Sequence, residues 1–226
     1  MPKTWQEGNN AMITVSAFAA VPPFAQGLVR DLRVRWALEE AGIAYKAMLI
    51  GPSEQSSEAY RACQPFGQVP IYREGDLTLF ESGAIVLHIG ERSKVLLPAD
   101  EAARARAITW LFCALNTMEV VIQRLSELDL FFPGEDWAKQ HRPAVEQRVK
   151  LRLEELAEQL GEREYLDGQF TAGDLMMTTV LRILRHTDLV ERAPRLAAYV
   201  KRCEARPAFR RALEAQMEGF SRIESK

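Results

Sequence analysis

The sequence predicts a mixed α/β domain followed by an all-helical domain, on three observations. Short alternating apolar runs and helical repeats interleave as far as Arg92. A break follows at Leu97-Pro98, and beyond it every apolar pattern has helical spacing. An order of strand, helix, strand, helix, strand, strand, helix suits a mixed sheet covered by helices. We place the first domain at residues 11–95 and the second at 100–222, divided by this change of pattern and not by a flexible linker.

Ile13, Val15 and Ala17 alternate with Thr14 and Ser16 and read as the first strand. Pro22-Pro23 blocks helix in the loop from Ala19 to Gln26. Gly27 to Ala41 reads as a helix, with Leu28, Leu32 and Trp36 at helical spacing and Gly42 as its C-terminal cap. Ala44 to Ile50 reads as the second strand, and Pro52 to Cys63 holds a short helix. Val69 to Tyr72 and Leu77 to Phe80 read as two strands joined through Arg73-Glu74-Gly75-Asp76, which has hairpin chemistry. An apolar helix runs from Ser82 to Arg92. In the second domain Glu101 to Leu128, Trp137 to Leu160, Ala172 to His186, Pro194 to Ala205 and Ala208 to Phe220 read as helices.

The composition is that of an ordinary globular chain: 226 residues, 47% apolar and 27% charged. Lysine and arginine total 29 against 31 acidic residues, so a net charge of −2 supplies no strong field for nucleic acid or a membrane surface. Met1 to Ala11 is polar, without an apolar run of signal-peptide length, and no stretch approaches the roughly 20 apolar residues of a membrane span. Cys63, Cys113 and Cys203 are far apart and odd in number, which fits a reducing, cytoplasmic compartment and not a disulfide framework. With three histidines and no paired ligands at metal spacing, no metal site is expected.

Gln68-Val69-Pro70 opens a strand with a proline. If the bond before Pro70 is cis, the Val69 backbone faces outward and pairs with an extended peptide by strand addition. Alone, the segment reads as an ordinary trans proline in a loop, because cis is found in only about 5–6% of X–Pro bonds. Eleven residues later, Glu81-Ser82 begins a helix, with Ser82 placed as an N-cap. Helix amides suit a carboxylate and the Glu81 charge suits an ammonium, so together they fit an α-amino acid head group. Alone, the pair reads as simple capping.

These two segments, Gln68-Val69-Pro70-Ile71 and Leu77-Thr78-Leu79-Phe80-Glu81-Ser82-Gly83-Ala84-Ile85, resemble the glutathione-binding signature of the cytosolic glutathione S-transferases. Leu32 to Gly42 resembles the family's first helix, and Tyr199 and Ala205-Arg206-Pro207-Ala208-Phe209 resemble its C-terminal region. Thr171-Ala172-Gly173-Asp174 has the form of a capping box, with Phe170 and Leu175 as a staple, and resembles the structural box of the family's penultimate core helix. The resemblance implies a thioredoxin-like first domain and a glutathione-transferase-type helical second domain. It also implies glutathione as co-substrate, a cis Pro70, a Val69 backbone pairing with the cysteinyl part, and Glu81 and Ser82 holding the γ-glutamyl end. Gln68 and Phe24 complete the proposed glutathione contacts. The implied assembly is a two-fold homodimer.

The departure from the family lies at the thiol. A free thiol has a pKa of about 8.5, and lowering it by about two units requires roughly 2.7 kcal/mol of thiolate stabilisation. The family's Tyr, Ser or Cys at the first helix is missing from residues 17–36, and Ser16 lies too early. We expect the amides at the start of that helix to stabilise the thiolate, helped by Gln26 or Arg30; the alternative is that Arg30 lies on the solvated face and Gln26 simply caps a loop. Val21, with Phe24, is expected to wall a second-substrate pocket between the domains, opposite Trp110, Cys113, Asn116 and Thr117. Core packing is the favoured reading of Trp110, and burial is the argument for Asn116 and Thr117. Cys63 has no evident activating partner, Cys113 and Cys203 read as small buried residues, and His88 and His186 as structural. The expected activity is addition of the thiolate to a hydrophobic electrophile, or peroxide reduction. The alternative is a non-enzymatic relative that binds glutathione or a protein, and a third reading, a glutathione-dependent isomerase, lacks its Ser-Ser-Cys run.

Overall fold

A computed structural model describes residues 12–224; side chains are described as far as Phe220. Residues 1–11, including the polar N-terminal stretch, lie outside the described residues. The chain divides into two compact units, one of residues 12–89 and 211–224, the other of Gly90–Arg210.

In the first unit β1 (Ile13–Phe18) leads to α1 (Asp31–Ala41) and β2 (Tyr45–Ile50). Two short helices follow, α2 (Pro52–Ser56) and α3 (Glu58–Arg61), then the hairpin β3 (Tyr72–Glu74) and β4 (Leu77–Leu79), and α4 (Ser82–Gly90). The four strands lie in the order β2-β1-β3-β4, with β1 parallel to β2 and antiparallel to β3. A parallel pair needs a crossover, and α1 supplies it. Val15, Val34, Trp36 and Leu38 are wholly buried, as are Tyr72, Ile85 and Val86. Gly75 turns the hairpin at φ 56° and Gly42 ends α1 at φ 67°, both in the left-handed region a side chain resists.

Two boundaries differ from the sequence reading. The first helix begins at Asp31, not Gly27, because Gly27 stands at φ 75° and residues 26–30 form turns. Apolar spacing carries no record of that backbone sign. Ser82 is the first helical residue of α4, so Glu81 occupies the capping position that the sequence assigned to Ser82.

The second unit contains α5 (Glu101–Phe112), a π-helical segment (Cys113–Glu119), α6 (Val120–Leu130), α7 (Asp136–Leu160), α8 (Ala172–Leu181) and α9 (Pro194–Glu204). The last helix, α10 (Pro207–Glu224), starts in this unit and continues into the first from Arg211. The sequence division assigned all of it to the helical domain. Arg211 pairs with Glu39 at 2.6 Å and Gln216 bonds Asp31 at 2.7 Å, contacts that sequence spacing does not reveal.

Glu101–Leu130 is one 30-residue helix, long and apolar enough by length and composition alone to cross a membrane, although the sequence showed no such run. Its stripe of Ala107, Leu111, Ala114, Ile122 and Leu125 is wholly buried, and α5 packs on α8, as in the core helix of a helical domain. The capping box at α8 is formed: Thr171 Oγ1 accepts the Gly173 amide, and Asp174 Oδ2 accepts the Thr171 amide at 2.9 Å. The other Asp174 oxygen accepts the Leu166 amide and the Tyr199 hydroxyl. Both acidic oxygens are therefore fully used in structure.

Candidate active site

The Val69–Pro70 peptide bond is cis. Val69 and Pro70 are buried while Gln68 is exposed. A chain of hydroxyls holds this segment. The Tyr60 hydroxyl donates to the Gln68 carbonyl at 2.7 Å, Ser16 Oγ lies 2.9 Å from the Tyr60 oxygen, and the Ile71 amide donates to Ser16 Oγ at 2.7 Å. A carbonyl can only accept, so Tyr60 gives its proton to Gln68 and Ser16 gives its own to Tyr60. Ser16 is thus buried in β1, with its proton given to Tyr60 and its oxygen accepting the Ile71 amide. Burial pushes the Tyr60 phenol above its ordinary range, against the pull of Ser16.

The hairpin register links the two halves of the signature. Tyr72 faces Leu79 and Glu74 faces Leu77, so the antiparallel ladder ends two residues from Pro70 on one strand and two residues from Glu81 on the other. Glu81 is exposed and holds φ 68°, the one non-glycine among the described residues in the left-handed region. Ser82 is buried, and its Oγ accepts from Arg33 Nη1 of α1 at 3.3 Å. Arg33 is itself 3% exposed, a buried cation beside the start of α4. Sequence reasoning missed Tyr60, Arg33 and Ser16 in these roles, because each acts across 44 residues or more or, for Tyr60 on Gln68, through a turn no motif records.

The segment before α1 carries the other predicted residues. Pro23–Ala25 forms one 3₁₀ turn, and Val21, Phe24, Gln26 and Arg30 are all half-buried. Arg30 stands at the N-cap of α1 in helical conformation and makes no capping bond with its side chain. The Leu28 amide bonds Ala25 and the Leu32 amide bonds Val29, whereas among the described residues nothing accepts the Val29 amide. Asp31 opens α1 wholly buried, with Arg35 Nε on one oxygen and Gln216 Nε2 on the other, each at 2.7 Å. Burial pushes its carboxyl up, and those two donors hold it down.

In the second unit Trp110 and Cys113 are half-buried, while Asn116 and Thr117 are exposed on the π-helical segment. Burial is therefore no argument for the last two, contrary to the sequence expectation. Burial raises the Cys113 thiol, opposed by a hydrogen bond with Thr117. Arg73 Nη2 lies 2.7 Å from Cys63 Sγ, a partner the sequence did not suggest. Cys203 is buried, His88 meets Tyr72 edge-on, and His186 contacts Asp129. Among the described residues no cluster of His, Cys, Asp or Glu is arranged to hold a metal ion.

This combination of a four-stranded mixed sheet, a cis proline at its edge and a helical second unit defines a thioredoxin-like protein with a helical extension. The glutathione S-transferase N-terminal domain family matches residues 26–91. Glutathione S-transferase 4 of Zea mays is 31% identical over 201 residues, covering 84% of this chain and 86% of that protein. Glutathione S-transferase F14 of Arabidopsis thaliana is 32% identical over 158 residues, which is 64% of this chain and 62% of its own length. A Pseudomonas fluorescens glutathione transferase family member, solved with two glutathione bound, superimposes with a TM-score of 0.79 at 24% identity, over 93% of this chain and 96% of its own. The chain belongs to the cytosolic glutathione S-transferase family, and that membership carries glutathione transferase function.

Proposed function

We propose that the chain binds reduced glutathione along the Gln68–Pro70 edge and the start of α4 and adds its thiolate to a hydrophobic electrophile. The cis Val69–Pro70 bond, joined to the start of α4 by the short β3–β4 hairpin, carries this reading: an extended tripeptide pairing with the Val69 backbone would present its amino-acid head to Glu81 and Ser82. Arg33 behind Ser82 favours the γ-glutamyl carboxylate, and Glu81 its ammonium. The glutathione in the Pseudomonas fluorescens structure is further support. Phe24 lies against the ligand from the loop before α1.

The thiol is activated by the amides before α1, with the Val29 amide, which has no acceptor among the described residues, first among them and Gln26 or Arg30 as side-chain donors. Val21 and Phe24 give the electrophile an apolar wall. The thiolate reduces hydroperoxides as well. The working form is a cytoplasmic homodimer that needs no metal.

One observation favours a second reading, a non-enzymatic glutathione binder: residues 17–30 hold no Tyr, Ser or Cys, and Ser16 is already committed. Retention on immobilised glutathione, followed by a panel of electrophiles and hydroperoxides, separates the two. Retention with turnover is the expected result. Retention without turnover of any panel member selects the binder, and failure of both removes the glutathione reading. Ultraviolet titration of the bound thiol in Arg30→Ala and Gln26→Ala then assigns the side-chain donor, and an unmoved titration in both leaves the amides alone.

A further inference from the structure

Gln216 of α10 is 1% exposed and lies 185 residues along the chain from the carboxylate it serves. Its amide nitrogen donates twice, to Asp31 Oδ1 at 2.7 Å and to the Val29 carbonyl at 3.1 Å. Its amide oxygen is buried and accepts nothing among the described residues. A buried orphan acceptor is costly. A glutamine is kept here for its two donor protons, and those protons go to the last turn before α1 and to the first residue of α1.

That placement bears on the thiol. Asp31 puts a buried negative charge at the helix end whose partial positive charge favours a thiolate. Left uncompensated, it would oppose the thiolate by like-charge repulsion. Arg35 covers one Asp31 oxygen and Gln216 the other. The second Gln216 proton pins the Val29 carbonyl and so fixes the residue whose own amide has no acceptor among the described residues.

We propose that Gln216 is a positioning residue for thiol activation: it screens the Asp31 carboxylate and holds Val29 so that its amide meets the bound sulfur. This rests on the glutathione reading above. The last helix thereby becomes part of the thiol site without touching the substrate.

The test uses the full chain with Gln216→Met, which keeps the volume and loses both donors, and Gln216→Glu, which sets a second carboxyl beside Asp31. Ultraviolet titration of the thiolate in the glutathione complex, and kcat/KM against pH with a reactive chloronitrobenzene, are the readouts. In Gln216→Met the thiol titration moves about one unit up, so kcat/KM falls about fivefold near pH 6.5, approaches a loss of about tenfold well below that pH, and rejoins the parent curve above about pH 9. Glutathione Kd changes by less than about twofold, because the head-group contacts are elsewhere. Gln216→Glu moves the titration further in the same direction. A profile unmoved, or lowered equally at every pH, assigns Gln216 to packing alone and overturns the proposal. If the parent protein binds no glutathione, the underlying reading fails first. Should Gln216→Met not fold, Gln216→Glu carries the same test.

Discussion

Tyr60 reaches across eight residues to donate its hydroxyl proton to the Gln68 carbonyl at 2.7 Å, and it receives the Ser16 proton at 2.9 Å. The backbone just before the cis proline is therefore held by a side chain from α3 and one from β1, and not by the sheet ladder, which begins only at Tyr72.

Removing that hydroxyl tests whether the clamp matters for binding. Tyr60→Phe keeps the ring in its apolar cluster with Ile50, Val69 and Ile71 and leaves the buried Ser16 hydroxyl without its acceptor. We expect a loss of about 1–3 kcal/mol in urea unfolding. We also expect weaker glutathione binding by calorimetry, because Gln68 and Val69 lose their fixed orientation. A variant that is less stable and binds glutathione as tightly as the parent would confine Tyr60 to stability.

Glu81 separates binding from stability in the opposite sense. A non-glycine residue in the left-handed region costs about 1–2 kcal/mol; glycine removes that strain, and its greater freedom in the unfolded chain offsets part of the gain. Glu81→Gly should raise the unfolding midpoint, by up to about 1 kcal/mol, while glutathione Kd rises about tenfold or more from loss of the ammonium partner. A midpoint that falls together with affinity would show that the Glu81 side chain supports the fold and not the ligand.

The order of elements was legible because periodicity alone separates the interleaved first unit from the helical second, and because Gly42 and Gly75 stand where chain reversals need them. The cis Pro70 was legible in the Gln68-Val69-Pro70 motif only together with Glu81-Ser82, and the hairpin of β3 and β4 is what joins the two segments. Three features were not. Gly27 in a left-handed turn delays α1 to Asp31, and nothing in the pattern of Leu28 and Leu32 gives the sign of φ. The π-helical segment Cys113–Glu119 rotates Asn116 and Thr117 outward, where α-helical spacing had argued for burial. Arg33, Tyr60 and Gln216 act on distant partners, and a local reading has no access to such pairs.

Cys203 carries a pH dependence whose sign follows from its burial. Desolvation pushes its thiol up to about 12. The unfolded thiol ionises near 8.5, so the stability gained by keeping it neutral is complete below that value and is lost as pH rises through the folded one. At pH 8 an aromatic disulfide reagent should label half-buried Cys63 and Cys113 and spare Cys203 until denaturant is added. Between about pH 9 and 12 the parent should lose stability faster than Cys203→Ala. Labelling of three thiols in the native protein would contradict this burial.

Gly173 fixes how closely α8 approaches α5. A Cβ added there would sit 2.5 Å from Trp110 Cβ and 3.1 Å from the Ala107 carbonyl oxygen, and neither atom is the free end of a flexible side chain. Alanine is favoured over glycine within a helix by about 1 kcal/mol, so local propensity argues for Gly173→Ala. Overpacking argues against it, at about 1–3 kcal/mol, and the clash is with backbone and a Cβ, which cannot turn aside without moving a helix. We expect packing to win, with a lower urea midpoint and an altered Trp110 emission as α5 shifts. Gly134→Ala, where an added Cβ meets nothing within 4 Å, is the control and should change the midpoint little. A Gly173→Ala protein as stable as the parent would mean that α5 and α8 slide apart freely, and the wholly buried stripe on Ala107 and Leu111 would then not be a close-packed seam.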